Sequence, residues 1–473
     1  MPKLKKARLE SGIEIVDIGA KGTVIGKKEG RTYLTKDAVP GDVITIEVRK
    51  KKKGFLEGRL MEVTTPSPMR EEPRCAHFEH CGGCNWQNLQ YAEQIRLKDR
   101  RVTEQLRRIA GMTDFEALPI LGSEEIFNYR NKMEYTFVSS RWLTPEEIAT
   151  EEDIPDRQAI GFHVPGRFDW VVHIETCHLQ RNEHNDMRQF IFERSKSLNI
   201  PFYHPREKSG IMRNVLFRNN RKGDWMVLLV VQEHSDEVKT LSKDFIAAFP
   251  TLHSLWVIVN EKVNDSFSDC PAELVHGEPH LIETFNRPNN AGSVEYIIGP
   301  KSFFQTNSEQ AERLYSIIYD FAALSGSEVV YDLYTGTGSI ALFVADKAKE
   351  LVGVEYIPEA IEDAQTNAQM NGVANAKFFA GDMKDVLTPA FIATHGKPDV
   401  LITDPPRAGM HADVIDRILE AMPKRVVYVS CDPATQARDI KMMESKYKLI
   451  KIQPVDMFPH TSHVENVALL ELI

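Results

Sequence analysis

The chain has 473 residues, a length that predicts about three domains. Hydrophobic residues make up 42% and charged residues 27% of it, which is close to globular averages and excludes a disordered or fibrous protein. The longest apolar run, Trp225–Val231, is too short to cross a bilayer, and no apolar stretch follows the basic N-terminus. We therefore expect a cytoplasmic protein that has no membrane partner.

The N-terminal segment is basic, whereas the rest of the chain is acidic. Residues 1–62 carry 15 Lys and Arg against 9 Asp and Glu, within a chain whose net charge is −10. This asymmetry is typical of a module that binds a polyanion, although a solvated charged surface would give the same pattern. Five β-rich stretches separated by turns predict a small barrel of the OB type over residues 1–64. The stretches are Glu14–Ile18, Thr23–Gly26, Arg31–Leu34, Val43–Val48 and Phe55–Val63.

A central α+β domain is predicted over residues 65–294. Asn88–Gly111 has an apolar stripe with helical spacing, and this helix could pack on the domain that follows. Strand patterns dominate from Tyr129 to Val263. The polar face of the helix is basic and would contact either solvent or RNA. Its basic residues are Arg96, Lys98, Arg100, Arg101, Arg107 and Arg108.

Three cysteines lie close together in the spacing Cys75-x5-Cys81-x2-Cys84, and Cys177 can supply a fourth thiolate. Six cysteines are too few for a disulfide scaffold in a chain of this length, so the cluster indicates metal or iron–sulfur ligation. Thiolates suit iron–sulfur clusters and zinc alike. The neighbouring His77 and His80 keep zinc open as an alternative.

Residues 295–473 alternate strand and helix patterns, which predicts a doubly wound α/β domain with ligands at the carboxyl ends of its strands. One strand runs through Asp332 into Tyr334-Thr-Gly336-Thr-Gly338-Ser339, and its glycines allow a close approach to a ligand. The third glycine of the dinucleotide fingerprint is missing, so NAD is disfavoured. The segment resembles motif I of class I S-adenosylmethionine-dependent methyltransferases. Glu355 and Asp382 end the next two strands, where that fold holds the ribose and the adenine of the cofactor.

Two further strand ends carry groups suited to covalent chemistry. Asp404-Pro-Pro-Arg407 follows the fourth strand, and Cys431 follows the fifth, beside the predicted methyl donor. C5 of a pyrimidine is a poor nucleophile, and addition of a thiolate at C6 would make it reactive. A base must then remove the C5 proton, and Glu465 before the last strand is available for this step.

Together these motifs resemble the RNA 5-methyluridine methyltransferase family. The carrying segments are Asp404-Pro-Pro-Arg, Ser-Cys431-Asp-Pro, Phe-Pro-His-Thr-x-His-Val-Glu465 and Phe303-Phe-Gln305-Thr-Asn. The resemblance implies that Cys431 is the nucleophile and Glu465 the base, with Asp404 as a third catalytic group. It also implies that Phe303 and Arg407 contact the substrate. The implied cofactor-binding residues are Gln305, Asp332, Tyr334, Gly336, Gly338, Ser339, Glu355, Asp382 and Asp404.

The resemblance further implies an uridine target, because the Pro-Cys pair of cytosine-5 enzymes is absent after the fourth strand. Ser339 and Asp432 stand where Asn is common in the family. These two departures concern side-chain contacts and not the reaction class. The basic barrel resembles a TRAM domain. The cysteine spacing resembles the [4Fe-4S] subgroup, in which a distant cysteine like Cys177 is the fourth ligand of a structural or RNA-orienting cluster.

The module content favours 23S rRNA as the substrate of a monomeric enzyme, with a tRNA uridine as the alternative. Two other classes of protein are alternatives to a methyltransferase. An iron–sulfur oxidoreductase would need a second redox cofactor, and the sequence has no flavin or NAD fingerprint. A non-catalytic RNA-binding protein would need neither Cys431 nor Glu465, yet both stand in full motifs.

Overall fold

The computed structural model describes residues 8–19, 22–150, 153–167 and 169–473. Its first five strands are β1 (Arg8–Ile18), β2 (Val24–Lys28), β3 (Arg31–Thr35), β4 (Val43–Lys52) and β5 (Phe55–Thr65). They close into a barrel in the order β1-β2-β3-β5-β4. Alternating side chains, among them Ile13, Ile15, Ile44 and Ile46, fill its interior. The predicted five-stranded barrel is therefore confirmed, and residues 1–7 and 20–21 of its predicted range lie outside the described residues.

A long helix follows the barrel and the cysteine-containing segment. It consists of α1 (Tyr91–Gln105) and a π-helical turn (Leu106–Ala110), and it ends at Gly111, whose φ of +72° is a left-handed cap. A two-residue strand, β6 (Glu116–Ala117), comes next. Lys98 was predicted on the basic, accessible face of this helix, and that prediction is wrong because its side chain is completely buried.

The middle of the chain forms a seven-stranded sheet in the order β13-β12-β11-β10-β7-β8-β9. Its strands are β7 (Lys132–Val138), β8 (Ala159–His163), β9 (Val171–His173), β10 (Met212–Asn219), β11 (Trp225–Val231), β12 (Ser254–Val259) and β13 (Ala272–Gly277). Its helices are α2 (Pro145–Ala149), α3 (Glu183–Ser197) and α4 (Asp236–Ala248). Every residue of β10 and β11 is buried, because α3 and α4 cover one face and the C-terminal region covers the other.

The C-terminal part is a three-layer α/β unit. Its strands are β14 (Leu281–Asn286), β15 (Ser293–Ile298), β16 (Val329–Leu333), β17 (Glu350–Glu355), β18 (Ala376–Ala380), β19 (Val400–Thr403), β20 (Arg425–Ser430), β21 (Tyr447–Val455) and β22 (Glu465–Leu472). Its helices are α5 (Ser308–Ala322), α6 (Ser339–Val344), α7 (Pro358–Met370), α8 (Met383–Val386), α9 (Pro389–His395), α10 (Ala412–Ala421) and α11 (Pro433–Met443). An eight-stranded sheet has the order β18-β17-β16-β19-β20-β22-β21-β6. The predicted doubly wound sheet is confirmed.

Two elements join parts of the chain that the sequence predicts as separate domains. β6 lies within residues 65–294, yet it pairs in parallel with β21 at the edge of the C-terminal sheet. The hairpin β14–β15 begins before residue 295 and shares its hydrophobic core with α5 and α6. The boundary at residue 294 stays a prediction.

None of the helices in the described ranges combines the length and the apolarity that a membrane span requires.

Candidate active site

The chain changes direction across the sheet at β16. From there β17 and β18 lie on one side and β19 and β20 on the other, all parallel to β16, so that their carboxyl ends meet at one edge. Ligands of open α/β sheets bind at such a switch point. β22 is antiparallel to β20, and its first residue therefore lies at the same edge. This topology brings five predicted site residues to the edge formed by the carboxyl ends of the parallel strands. They are Asp332, Glu355, Asp404, Cys431 and Glu465.

The turn after β16 is shaped to receive a ligand. Tyr334, Gly336 and Gly338 all have positive φ, at +62°, +55° and +76°. A Cβ at Gly338 would lie 3.0 Å from the Cβ of Ala364, so this position needs glycine for space as well as for conformation. The Gly336 amide donates to Glu355 Oε2 over 3.1 Å, which ties the turn to the end of β17.

Asp332 is a buried carboxyl with one unpaired oxygen. Thr335 donates a hydrogen bond to its Oδ2 over 2.6 Å, and the Ala341 amide lies close enough to act on the carboxyl, whereas Oδ1 accepts no hydrogen bond of regular geometry in the described part of the chain. Burial raises the pKa of Asp332 to about 7, and the nearby Asp404 and Glu355 add to the rise. A buried oxygen without a partner is unusual, and a cationic or hydrogen-bond-donating ligand would satisfy it.

Three further residues predicted to bind the cofactor lie on separate segments of the chain. The Ser339 hydroxyl lies 2.8 Å from the Tyr315 hydroxyl, and the Ser339 carbonyl accepts from Tyr296 over 2.9 Å. Asp382 caps α8, accepting from the Lys384 amide over 3.2 Å. The predicted residue Gln305 lies on the segment before α5, and its carbonyl accepts from the Asn131 side chain over 2.9 Å.

Four side chains form one electrostatic cluster at the ends of β19, β20 and β22. Burial raises the pKa of the Cys431 thiol to about 12; Glu465 and Asp404 reinforce this rise, and Arg407 opposes it. Burial and Asp404 raise the pKa of Glu465 to about 8, and Arg407 again opposes the rise. Burial alone raises the pKa of Asp404 to about 7. The structure thus brings the three predicted catalytic residues together with Arg407.

Cys431 is held in place by the turn into α11. Asp432 is the N-cap of this helix and accepts from the Ala434 amide over 2.9 Å, while Pro433 occupies the first helical position. The Ser430 hydroxyl accepts from the Asp432 amide over 3.1 Å. The structure therefore explains the carboxylate at position 432, because it caps the helix that holds the Cys431 thiol in place.

The aromatic pair before α5 points in two directions. Phe303 is 72% exposed, while Phe304 is buried in the core with Phe285 and Tyr296. An exposed phenylalanine is available to stack on a planar ligand.

A loop of nine residues, 456–464, connects β21 to Glu465, and sequence reasoning missed what holds it. Lys98 of α1 donates to Asp456 Oδ1 over 2.6 Å and to the Phe458 carbonyl over 3.1 Å. His460, at φ +64°, donates its amide to Gln94 Oε1 over 2.8 Å. We call residues 456–464 the base loop, because it leads to Glu465.

The four cysteines of the predicted cluster line one cavity of about 290 Å³. Burial and neighbouring thiols raise the pKa values of Cys81 and Cys84 to about 12. His77, the alternative zinc ligand, instead accepts from the Glu175 amide over 3.0 Å. Among the described residues, however, no three His, Cys, Asp or Glu side chains are arranged to hold a metal ion. The prediction of an iron–sulfur cluster is therefore not confirmed, although its thiols share a cavity.

The doubly wound sheet, its glycine turn and the carboxylates at its strand ends define a Rossmann-like methyltransferase domain. Residues 286–473 match the family model described as tRNA (Uracil-5-)-methyltransferase. An uncharacterized RNA methyltransferase of Bacteroides thetaiotaomicron is 47% identical over 459 residues, which cover 96% of this chain and all of that protein. One of Porphyromonas gingivalis is 46% identical over 468 residues, covering 97% of this chain and 99% of the relative.

Among solved structures, the Pyrococcus abyssi tRNA (uracil-54, C5)-methyltransferase in complex with S-adenosyl-L-homocysteine matches with a TM-score of 0.74. It is 26% identical, and the match covers 97% of this chain and 100% of that chain. The chain belongs to the RNA uracil-5-methyltransferase family.

Proposed function

We propose that this protein transfers a methyl group from S-adenosylmethionine to C5 of a uridine in RNA, through a covalent bond between Cys431 and C6. The observation that carries the proposal is the electrostatic cluster of Cys431, Glu465, Asp404 and Arg407 at the carboxyl edge of the sheet. A thiol beside a carboxyl of raised pKa provides both the nucleophile and the base that this reaction needs.

The glycine turn after β16 fits the methyl donor. The unpaired Oδ1 of Asp332 offers an acceptor to the ammonium group of an amino acid, and Glu355 ends β17 where a carboxylate accepts ribose hydroxyls. The P. abyssi relative, which has the same fold, is in complex with S-adenosyl-L-homocysteine. S-adenosylmethionine supplies a methyl group on a sulfonium cation, and a positive charge beside Cys431 favours its thiolate form.

The reaction proceeds in three steps on the uracil ring. The Cys431 thiolate forms a C–S bond at C6, and the electron pair of the C5–C6 double bond becomes available at C5. C5 then takes the methyl group from the sulfonium sulfur, the S–CH3 bond breaks to leave neutral S-adenosylhomocysteine, and C5 becomes a saturated carbon that still carries its proton. Glu465 removes that proton, the C5–C6 double bond is restored, and the C–S bond breaks to release Cys431. Only the ionised form of Glu465 can take this proton; because its pKa is about 8, that carboxylate is a stronger base than an exposed glutamate, and the ionised fraction rises as the pH approaches 8.

RNA that contains 5-fluorouridine tests the nucleophile, because fluorine cannot leave as a proton. With S-adenosylmethionine, wild-type protein should form a covalent complex that survives denaturation, and Cys431→Ala should form none. A Cys431→Ala protein with near-normal turnover on ordinary RNA would refute the covalent mechanism. Cys270 is a matched control because it is a buried free cysteine outside the electrostatic cluster of Cys431, and Cys270→Ala should still form the complex.

For the substrate we propose 23S rRNA, on the combination of the basic barrel with the cysteine cavity. The tRNA alternative is favoured by the matching family model, tRNA (Uracil-5-)-methyltransferase, and by the P. abyssi protein, which is a tRNA (uracil-54, C5)-methyltransferase. Purified protein should be incubated with unmodified 23S rRNA and, separately, with unmodified tRNA, each with methyl-labelled donor. Label confined to tRNA would refute the rRNA assignment, and nucleotide mapping would identify the uridine.

We also propose that Cys75, Cys81, Cys84 and Cys177 hold a [4Fe-4S] cluster in the cavity that they line. The support is the chemistry of the lining, since four thiols face one cavity, which Glu134 also lines, and thiolates are the ligands of iron–sulfur clusters. Protein purified without oxygen should be brown and contain about four irons per chain. Cys177→Ser should lose the colour, whereas Cys270→Ser should keep it. One zinc and no iron per chain would refute this proposal.

A further inference from the structure

Helix α1 contacts the base loop through one stripe of its surface. Tyr91, Gln94, Lys98 and Arg101 are spaced by three or four residues and lie on one side of the helix. Each of them binds the segment 456–462, and so an element from the first quarter of the chain holds the loop that precedes the proposed base.

The centre of this contact is an ion pair that water does not reach. The side chains of Lys98 and Asp456 are both 0% exposed, and their charged atoms are 2.6 Å apart. The Tyr91 hydroxyl donates to Asp456 Oδ2 over 2.9 Å, and the Phe458 amide donates to Asp456 Oδ1 over 3.1 Å. Buried pairs with this many hydrogen bonds fix geometry, because any displacement leaves a charge without a partner.

The contact continues along the loop toward the active site. Gln94 accepts from the His460 amide, and Arg101 donates to the Ser462 carbonyl over 2.9 Å. Further anchors come from α5 and its N-cap, where Gln310 and Asn307 bind the carbonyls of Asp456 and Met457. Tyr129 donates to the Pro459 carbonyl over 3.0 Å, and the amides of Asn85 and Trp86 donate to the His460 carbonyl. Helix α1 is thus one of several elements that hold the loop, and its contacts run from Asp456 to Ser462.

We propose that Lys98, through its ion pair with Asp456, is a positioning residue for the proton removal assigned to Glu465. This inference rests on the proposed function. Pairing with Val455 fixes the backbone of Glu465, whose side chain is buried, and the base loop held by Lys98 leads directly into this residue. Lys98 is not among the charges that act on Cys431, so its loss should slow chiefly the last step, in which the C5 proton leaves and the C–S bond breaks.

The variant that tests this is Lys98→Met with Asp456→Asn. It removes both charges and retains similar volumes, whereas a single replacement would leave one buried charge unpaired. The assay uses ordinary uridine RNA and methyl-labelled donor, and it follows turnover and the labelled RNA–protein adduct that survives denaturation. Turnover should fall roughly 10- to 100-fold, as expected when a reacting group is displaced by up to about 1 Å. The methylated adduct should accumulate, because thiolate addition and methyl transfer precede the affected step.

Arg213→Met is the matched control for loss of a buried cation. Arg213 is 1% exposed and binds the carbonyls of Asn260, Lys262 and Asn264 in the middle of the chain, far in sequence from the base loop. Its replacement should lower the melting temperature without accumulating the adduct. Tyr91→Phe removes a single hydroxyl from Asp456, and it should accumulate a smaller amount of adduct in a chain that retains the ion pair.

Glu465→Gln is the reference for the amount of adduct. It also separates the role of Glu465 as the base from the positioning role of Lys98. If Glu465→Gln accumulates the labelled adduct and the double variant does not, Lys98 has no part in positioning the base and this inference is overturned. Normal turnover of the double variant overturns it as well. If Glu465→Gln itself gives no adduct, the assignment of Glu465 as the base fails, and the positioning role fails with it.

Discussion

Glu465→Gln should make the protein more stable at neutral and alkaline pH while it impairs catalysis. Burial and the neighbouring Asp404 raise the pKa of the Glu465 carboxyl from 4.5 to about 8, against the opposing effect of Arg407. In unfolded chains the same carboxyl ionises near its ordinary value. The native state therefore holds a proton that the unfolded state releases between about pH 4.5 and pH 8.

The sign follows from proton linkage. Where the native state binds more protons than the unfolded state, the free energy of unfolding falls as pH rises. A difference of one pKa unit corresponds to about 1.4 kcal/mol. The protonation of Glu465 should therefore lower the free energy of unfolding by on the order of 2 kcal/mol between pH 5 and pH 7. Glutamine fills the same volume and does not ionise. The free energy of unfolding of the variant should therefore lack this decrease, and its excess over that of the wild type should grow with pH.

Differential scanning calorimetry at pH 5, 7 and 8.5 measures this advantage. On the order of 2 kcal/mol corresponds to about 5 °C in melting temperature for a domain of roughly 180 residues. Glu471→Gln is the matched control, because Glu471 lies in the same strand β22 and is exposed. A difference between Glu465→Gln and the wild type that stays constant from pH 5 to pH 8.5 would refute the burial of an ionisable carboxyl at this position.

Three further outcomes are expected. Asp332→Asn should weaken binding of S-adenosylhomocysteine about 10- to 100-fold by calorimetric titration, because a charge-assisted hydrogen bond is lost at Oδ1. Gly338→Ala should weaken it too, since its φ of +76° and the 3.0 Å approach to Ala364 leave no room for a Cβ; unchanged affinity would show that the turn is not at the donor site. Deleting residues 1–63 should flatten the salt dependence of RNA binding without changing donor affinity, and an unaltered slope would place the phosphate contacts elsewhere.

The sequence predicts the strand ends of the C-terminal domain well, because the signals there are local. A buried strand, a glycine turn and a helix start follow one another within Val329–Val344, and each is set by neighbours in the chain. Asp332, Glu355 and Cys431 lie within one residue of the carboxyl end of a parallel strand, so the topology alone brings them to one edge. Their roles stay predictions, whereas their proximity is a finding of the structure.

The contacts between distant segments were not predictable in the same way. Lys98 binds Asp456 across most of the chain, and no neighbour in the sequence of either residue indicates the other. One signal was nevertheless present: Lys98 lies four residues before the buried Val102, so helical periodicity places it on the apolar stripe. Its charge outweighed its position in the prediction of an accessible basic face.

A lysine on the buried side of a helix needs a counter-charge that is equally buried, because an isolated ammonium group is costly to remove from water. The only elements that can supply it are those packed against that side, and here β21 and the base loop cover α1. A cation on an otherwise apolar stripe therefore indicates an acidic residue in whatever segment covers the helix. In this chain the covering segment leads to Glu465, and for this reason we propose that the ion pair between Lys98 and Asp456 positions the base.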